Sequence, residues 1–374
     1  MAFGAALFAV LASPVEAQDT TSRARDTLAT ADSTPRPFRV CAGGDVTLGT
    51  NLDPKWAPAA NRQLRALFGL SADPDSLVAP LRPLFADADV VLLNVEGAIG
   101  SGAAEPKCGR KAKHCYAFRG EPEVARALRS IADSDAVVIG NVANNHARDA
   151  GDDGVDSTVA HLARARVLAT GNDTLATPVV LPDGRRFAVL GFYTSTETPD
   201  ARDIAAVRRH VARAVATYGT VIVTAHIGAE GVGAQRTRDS TELFLESKID
   251  RGNPVAFARA ALDAGATMVI GHGPHVLRAA EWRDDRLVLY SLGNLLTYGP
   301  FNLVEPMNRG VVACADIAGR SVLGADLRST MQRAPGVVMP DVSRRALHLI
   351  DSLSVLDFPG TGARIDTWGE ILHP

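Results

Sequence analysis

Seven short apolar runs, rich in Val, Ile and Leu, recur along this chain, and helical patterns lie between most of them. The runs are residues 38–42, 88–93, 136–140, 186–191, 220–225, 267–270 and 287–290. Continuous apolar runs of this length are typical of strands buried on both faces. The helical patterns are residues 121–131, 155–165, 204–216 and 254–264. Strands that alternate with helices predict an α/β fold.

Polar motifs follow several of these runs. The motifs contain one set of carboxylate, amide and imidazole side chains: Asp45, Glu96, Asn145, His146, His226, His272 and His275. In open α/β sheets, ligands bind in the crevice outside the carboxyl ends of the strands. We therefore expect these side chains to meet at one site, with the segment Ser291–Asn294 shaping its floor.

The residue types at this expected site suit divalent transition metals. Carboxylates, imidazoles and amide oxygens bind Mn, Fe and Zn, so we expect one or two such ions per chain. Paired ions support phosphoester hydrolysis by activating water and stabilising both oxygens of the displacement. Each residue also has an alternative role that involves no metal. Asp45 could cap a turn, Glu96 could be a surface carboxylate, and His146 could be a packing residue.

Three further residues are candidates for catalysis or substrate binding. Asp149 lies one helical turn beyond His146 and would orient its imidazole, with solvent exposure as the equal alternative. The loop 107–119 carries five Lys or Arg and no acid, so it is either a solvated face or an electropositive lip for an anionic polymer or phosphoester. Arg119 is its candidate anion ligand. Glu230 is a candidate substrate contact or an exposed acid.

The two ends of the chain differ from its middle. Residues 2–12 are apolar but too short to span a bilayer, and a small-x-small ending follows, so residues 1–17 resemble a signal peptide. Polar residues 18–37 predict a disordered linker, and export would be to the periplasm or the exterior.

The tail from Ile317 contains strand-like pieces, among them Val322-Leu323 and 354–356, and a helix candidate at 343–353.

Cysteine content and charge restrict the protein class further. Cys108 and Cys115 lie close together in a polar loop, and in an oxidising compartment we expect them to form a disulfide; two unpaired thiols are the alternative. The net charge of -3 excludes a globally basic nucleic-acid-binding protein. A metal-free hydrolase is not supported, since the sequence has no Gly-x-Ser-x-Gly motif.

Six motifs in order carry a family resemblance: GGDVTLG, LLNVEGAIG, NNHARDAG, AHIGAE, GHGPHVLRAAE and YSLGN. Over about residues 38–300 the chain resembles the poly-γ-glutamate capsule-synthesis (CapA-like) family, within the calcineurin-like metallophosphoesterases. The resemblance implies a four-layer α/β/β/α sandwich, which we place at residues 38–315. From the pattern of the tail we expect residues 316–374 to be an extension packed on the same domain. The resemblance also implies that Asp45 is the first metal aspartate, that Glu96 is the bridging acid, and that Asn145 is a ligand beside the general acid His146. The later histidine ligands would be His226, His272 and His275.

The chain departs from the superfamily pattern at two points. Val46 and Thr47 stand where an Asp-x-His motif would continue, and the usual Gly-His-x-His is lengthened to Gly271–His275. We expect a metal-dependent hydrolase of phosphoesters or γ-glutamyl amides that acts in capsule or envelope polymer metabolism. The competing hypothesis is a non-catalytic assembly factor whose remnant metal site binds anionic polymer or a membrane synthase complex.

Overall fold

A computed structural model describes residues 1–2, 36–49, 56–102, 116–244, 248–299 and 301–374. The chain divides into two compact units, Met1–Thr34 and Pro35–Pro374, and every described helix and strand lies in the second. Most of the expected signal peptide and most of the expected linker lie outside the described residues, as do Cys108 and Cys115.

Twenty strands and seven α-helices form the second unit in the described ranges. The strands are β1 (Phe38–Thr47), β2 (Val90–Val95), β3 (Ala98–Ile99), β4 (Arg119–Gly120), β5 (Val137–Asn141), β6 (Val167–Thr170), β7 (Thr177–Val180), β8 (Arg186–Tyr193), β9 (Val221–His226), β10 (Leu243–Phe244), β11 (Ile249–Asp250), β12 (Met268–His272), β13 (Ala280–Arg283), β14 (Arg286–Leu289), β15 (Asn294–Thr297), β16 (Arg309–Ala318), β17 (Ser321–Arg333), β18 (Val337–Pro340), β19 (Arg364–Ile365) and β20 (Ile371–Leu372). The helices are α1 (Ala57–Phe68), α2 (Pro74–Val78), α3 (Glu123–Arg129), α4 (Gly151–Arg164), α5 (Ile204–Tyr218), α6 (Pro254–Asp263) and α7 (Arg345–Asp357), with a 3₁₀ helix at Ala79–Leu84.

Two sheets dominate this mixed α/β fold. The larger has the order β18-β17-β16-β1-β2-β5-β6, and β15 also pairs with β1. Its strands β1, β2, β5 and β6 are parallel, whereas β16, β17 and β18 pair antiparallel. Because β17 and β18 lie after residue 315, the tail of the chain completes this sheet. The smaller sheet has the order β13-β14-β12-β9-β8-β7, with a parallel centre from β14 to β8.

Three apolar clusters explain why the central strands are apolar throughout. Successive side chains on a strand point to opposite faces. Leu92 of β2 joins a cluster that also contains Ile222 of the smaller sheet. Its neighbour Val91 joins a second cluster, which includes helices α1 to α4. The opposite face of the smaller sheet packs against α5 and α6 in the third cluster, with Val223 as one member.

The observed strands and helices agree with those predicted up to residue 290 and differ from the prediction at one place in the tail. All seven apolar runs lie in or overlap strands, and the four helical patterns correspond to α3, α4, α5 and α6. Val322-Leu323 lies in β17, as expected. The strand-like interpretation of 354–356 is wrong, because these residues belong to α7, where Ser354 Oγ donates to the Ile350 carbonyl one turn earlier. No described helix is long and apolar enough to cross a bilayer.

A disulfide joins Cys41 to Cys314 across the pairing of β1 with β16. Both cysteines are fully buried. The sequence did not indicate this pair, because the two residues are 273 positions apart and only the strand register brings them together. The disulfide ties the strand that carries Asp45 to the segment that follows the predicted metal motifs.

We expect removal of this disulfide to destabilise the fold. A crosslink over so long a loop restricts the unfolded chain, so a Cys41→Ala/Cys314→Ala variant should lose about 2–4 kcal/mol of unfolding free energy. Urea denaturation of both proteins measures the difference, and peptide mapping without reductant identifies the linked cysteines. A Cys108→Ala/Cys115→Ala variant is the comparison, and it should lose less, because the disulfide expected there would close a far shorter loop. Free thiols at both Cys41 and Cys314 in the oxidised wild type would contradict the assignment.

Candidate metal centre

The larger sheet places three polar residues in one row. Asp45 is the register partner of Asn94 on β2 and of Asn294 on β15. Asp45 N also donates to the Gly293 carbonyl at 3.0 Å. Gly44 permits this approach, because a Cβ there would lie 2.0 Å from the Gly293 oxygen. The absence of a side chain at Gly44 therefore allows the two asparagines to flank the aspartate.

The smaller sheet supplies a second row. His226 ends β9 and is the register partner of Tyr193 on β8 and of His272, which ends β12. All the residues of β9 and β12 are buried. Gly273 follows at φ +109°, and a Cβ there would lie 2.9 Å from the His226 ring. A glycine at this position therefore lets the chain turn beside the ring.

Side chains from both rows and from two loops converge on one buried cluster. Asp45, Glu96 and His275 each offer a ligand atom within 4.8 Å of the others. His275 Nδ1 lies 3.0 Å from Asp45 Oδ2, and His275 Nε2 lies 3.6 Å from Glu96 Oε1. His226 Nε2 is 3.8 Å from Glu96 Oε1, and His272 Nδ1 is 3.8 Å from Asp45 Oδ1. Five of the residues expected at the site are thus neighbours.

Several polar atoms of this cluster have no hydrogen-bond partner in the described structure. Among them are both carboxylate oxygens of Glu96, Nε2 of His226 and both ring nitrogens of His272. A buried polar group without a partner is costly, and a buried unpaired charge more so. A divalent cation would supply the missing interactions, and carboxylates with imidazoles are ligands of Zn, Mn and Fe. The residues therefore fit a metal ion.

Burial sets the protonation of two imidazoles and one acid in this cluster. Burial lowers the pKa of His272 to about 4 and that of His226 well below its usual value. Both rings are therefore neutral near pH 7, which is the form that binds metals. Burial raises the pKa of Glu96 well above its usual value, so its charged form is disfavoured without a cation.

His275 and Asp45 show the opposite behaviour because they form an ion pair. Burial would lower the pKa of His275, but the charges of Glu96 and Asp45 outweigh it and raise this pKa to about 10. Burial would raise the pKa of Asp45, but the contact with His275 holds it below the usual range. Protonated His275 is thus the counter-charge of the cluster when no metal is bound, and metal binding would release its proton.

The expected His146–Asp149 contact is present beside this cluster. His146 Nδ1 lies 2.6 Å from Asp149 Oδ2, which also accepts from Phe118 N at 2.7 Å. Asp149 is fully buried, so its solvent-exposed alternative is wrong. The Phe118 ring packs against His146 and stacks on Phe301, and the Phe301 ring in turn meets His275 edge-on.

Asparagines connect the His146 loop to the cluster. Asn144 donates to the Val95 carbonyl at 2.9 Å and to Asn94 Oδ1 at 3.3 Å, and its own Oδ1 accepts from His146 N. Asn94 in turn donates to Asp45 Oδ1 at 2.8 Å. The expected ligand Asn145 is half-buried, and its Oδ1 has no partner among the described residues.

The two expected substrate contacts have protein partners. The Arg119 guanidinium donates to the Gly102 carbonyl. Glu230 forms an ion pair with buried Arg251, whose guanidinium also donates to Tyr193 Oη at 2.8 Å. Arg251 lies near the cluster, because the Tyr193 ring that it contacts has its centroid 5.6 Å from that of His226. Sequence reasoning missed Arg251, since it belongs to none of the six motifs.

Fold and site together define an α/β protein with a buried carboxylate–histidine centre where two sheets meet. Residues 39–298 match the family model described as bacterial capsule synthesis protein PGA_cap. This match covers more than half of the 374 residues, and the chain belongs to that family.

Individual relatives are more distant. The PGA biosynthesis protein CapA of Bacillus subtilis is 26% identical over 243 residues, which are 59% of this chain and 57% of the relative. The uncharacterized proteins y4sH and y4uA of Sinorhizobium fredii are each 32% identical over 130 residues, 33% of this chain and 25% of theirs. The chain thus spans between a quarter and about three-fifths of these curated relatives.

A solved structure, that of TT1561 from Thermus thermophilus, shows only a weak likeness. It is 10% identical at a TM-score of 0.35, and the match covers 74% of this chain and 93% of that chain. No conclusion rests on a likeness of this degree.

A Glu96→Gln variant separates metal binding from stability. The raised pKa of Glu96 means that metal-free wild type loses stability as pH rises through that pKa, and glutamine removes this loss. We expect metal-free Glu96→Gln to be at least as stable as wild type, with an advantage that grows with pH. Added Zn²⁺ should raise the melting temperature of wild type but not that of Glu96→Gln. Differential scanning calorimetry with and without Zn²⁺ measures both effects.

Glu281→Gln is the matched control for this experiment. Glu281 is equally buried, but it accepts hydrogen bonds from Tyr290 Oη and Thr361 Oγ1, both at 2.7 Å. Its replacement should cost about 1–3 kcal/mol and leave the Zn²⁺ effect intact. A Glu96→Gln variant that is destabilised like Glu281→Gln and still responds to Zn²⁺ would contradict the metal role.

Proposed function

We propose that this protein is a metal-dependent, phosphoesterase-like hydrolase that acts in the synthesis of capsule, poly-γ-glutamate or another envelope polymer. The observation that carries the proposal is the buried cluster of Asp45, Glu96 and His275, where both Glu96 oxygens lack a donor. Family membership supports the capsule role. The ligand set would comprise this cluster, His226, His272 and Asn145, with one or two Mn, Fe or Zn ions.

The chain's own residues suggest how hydrolysis would proceed. A divalent ion held there would activate water and polarise the scissile bond of a phosphoester or a γ-glutamyl amide. Asp149 accepts a hydrogen bond from His146 Nδ1, which orients the imidazole and stabilises its protonated form. His146 would then protonate the leaving group. The aromatic rings of Phe118 and Phe301 lie between His146 and His275.

Architecture and location form part of the same proposal. The three apolar clusters support a four-layer α/β/β/α sandwich, since one contains residues of both sheets and the others join each sheet to helices. Export to the periplasm or the exterior is supported by the Cys41–Cys314 disulfide, because disulfides persist in oxidising compartments. Substrates would be anionic polymers or phosphoesters. Arg119 and Glu230 would contact them after leaving their present partners.

A second candidate is a non-catalytic assembly factor that binds anionic polymer or a membrane synthase complex through the metal. The departure at Val46 and Thr47 favours it, because Thr47 is buried and its Oγ1 has no described hydrogen-bond partner where the superfamily has a histidine ligand. Such a factor would bind metal without hydrolysing any phosphoester or γ-glutamyl substrate.

Metal content tests both candidates. Residues from Gln18 onward, purified without chelator, should contain about one or two transition-metal ions per chain by mass spectrometry. A His226→Ala/His272→Ala variant should lose most of this metal, because it lacks two imidazoles of the cluster. His161→Ala/His348→Ala is the control with as many histidines removed. Equal, negligible metal in all three proteins would overturn the proposal.

Catalysis is tested by His146. With the metal-loaded protein and p-nitrophenyl phosphate or a γ-glutamyl anilide, we expect His146→Ala to lower kcat about 10²–10⁴-fold. Its metal content should equal that of wild type. Asp149→Asn should lower kcat less and move the alkaline limb of the pH profile to lower pH, because the amide stabilises the imidazolium less. Turnover of neither substrate by metal-loaded wild type would favour the assembly factor.

A further inference from the structure

Asn294 makes contacts that go beyond shaping the floor of the site. It is fully buried, and its Oδ1 lies 3.0 Å from His275 Nδ1 in a hydrogen bond. Its Nδ2 donates to two backbone carbonyls, that of His275 at 3.3 Å and that of Met307 at 2.9 Å. All three polar contacts of the amide therefore lie inside the protein.

These contacts determine which way the amide faces. Two carbonyl oxygens can be satisfied only by the NH₂ end of the amide, so the oxygen end must face His275. An amide oxygen only accepts, so the hydrogen in this bond belongs to His275 Nδ1. Asp45 Oδ2 also lies 3.0 Å from Nδ1, but Asp45 is a proposed metal ligand, so Asn294 Oδ1 is the acceptor that stays available to Nδ1–H when an ion is bound.

We propose that Asn294 is a positioning residue that keeps a proton on His275 Nδ1 and thereby assigns Nε2 as the atom that binds the divalent ion. Nε2 is the nitrogen that faces Glu96, at 3.6 Å from Oε1. A metal-binding histidine commonly donates its other N–H to a fixed acceptor, which sets the tautomer and the ring orientation. The inference rests on the proposed metal centre.

The backbone conformation of His275 makes this restraint necessary. His275 has φ +57°, a left-handed conformation that residues with a side chain seldom adopt. The Asn294 amide bonds both the ring and the carbonyl of His275, so it holds the side chain and the backbone together. Local geometry of this kind persists only where its surroundings impose it.

Asn294 itself is held by a residue that lies outside the family match of residues 39–298. Gln332 of β17 is buried, and its Nε2 donates to the Asn294 carbonyl at 3.1 Å. Its Oε1 accepts from Thr297 N at 2.8 Å and from Thr297 Oγ1 at 2.9 Å. The segment after residue 298 therefore contributes to the order of the metal centre through Gln332, Asn294 and His275.

Two nearly isosteric variants test the role of Asn294. Asn294→Asp keeps an acceptor for Nδ1–H and loses both donors to the carbonyls, whereas Asn294→Leu loses all three contacts. We expect Asn294→Leu to bind Zn²⁺ about 10–100-fold more weakly than wild type and Asn294→Asp to stay within about tenfold of it. Isothermal titration with Zn²⁺ alone measures affinity. Histidine-selective ¹⁵N NMR of the Zn²⁺-loaded proteins should show Nδ1–H of His275 in wild type and Asn294→Asp only.

Controls separate this role from a structural one. Thr330→Val removes a buried hydroxyl of the same strand, β17, that has no described hydrogen-bond partner, and it should leave Zn²⁺ affinity and the NMR signal unchanged. Asn294→Ala, which adds no bulk, replaces the leucine variant should that variant not fold. Zn²⁺ affinity in Asn294→Ala equal to that of wild type, equal losses in the aspartate and leucine variants, or an Nε2–H tautomer in wild type would overturn the inference alone. A wild type that binds no Zn²⁺ would overturn the metal centre and the inference together.

Discussion

The burial of Asp45 and Glu96 at the junction of two sheets is the constraint on which the rest of this structure depends. Both carboxylates are fully buried, and the described residues provide no hydrogen-bond donor to either oxygen of Glu96. Such an arrangement destabilises a fold unless a positive charge compensates it. Protonated His275 compensates in part, and a divalent ion would do so more completely. The same feature therefore explains the unusual pKa values of the site and its proposed chemistry.

The strand register brings the other residues of the site to these two carboxylates. Parallel neighbours place equivalent positions side by side, so Asp45 lies between two asparagines, and His226 lies beside His272. Because the apolar residues of both sheets meet in one cluster, the two rows cannot separate without exposing that core. The position of the candidate ligands is thus set by the burial of Leu92, Ile222 and their neighbours, which take no part in the chemistry.

The surroundings of the centre show what could not be read from linear motifs. Arg251, Gln332 and the Cys41–Cys314 pair all act over long sequence separations, and none is part of a recognisable motif. Asn94 and Asn294 do stand in motifs, but an asparagine in a sequence can cap, ligate or position equally well. Its role depends on which groups its oxygen and its NH₂ face, and only the packed structure decides this. Residues 354–356 resemble a strand in sequence but are helical. They continue α7, whose buried face includes Ile350, Leu353 and Ser354.

The sequence by itself determined the α/β class, the main strands and helices, and the residue types of a candidate metal centre. It could do so because burial on both faces of a strand and helical periodicity leave local patterns, and because ligands collect at strand ends in such folds. Tertiary structure alone decided that Asp45, Glu96 and His275 form one buried cluster, and that Asp149 is buried against His146. It also decided which nitrogen of His275 faces Glu96. Distances, burial and hydrogen-bond direction are properties of residues far apart in the chain, so no local pattern contains them.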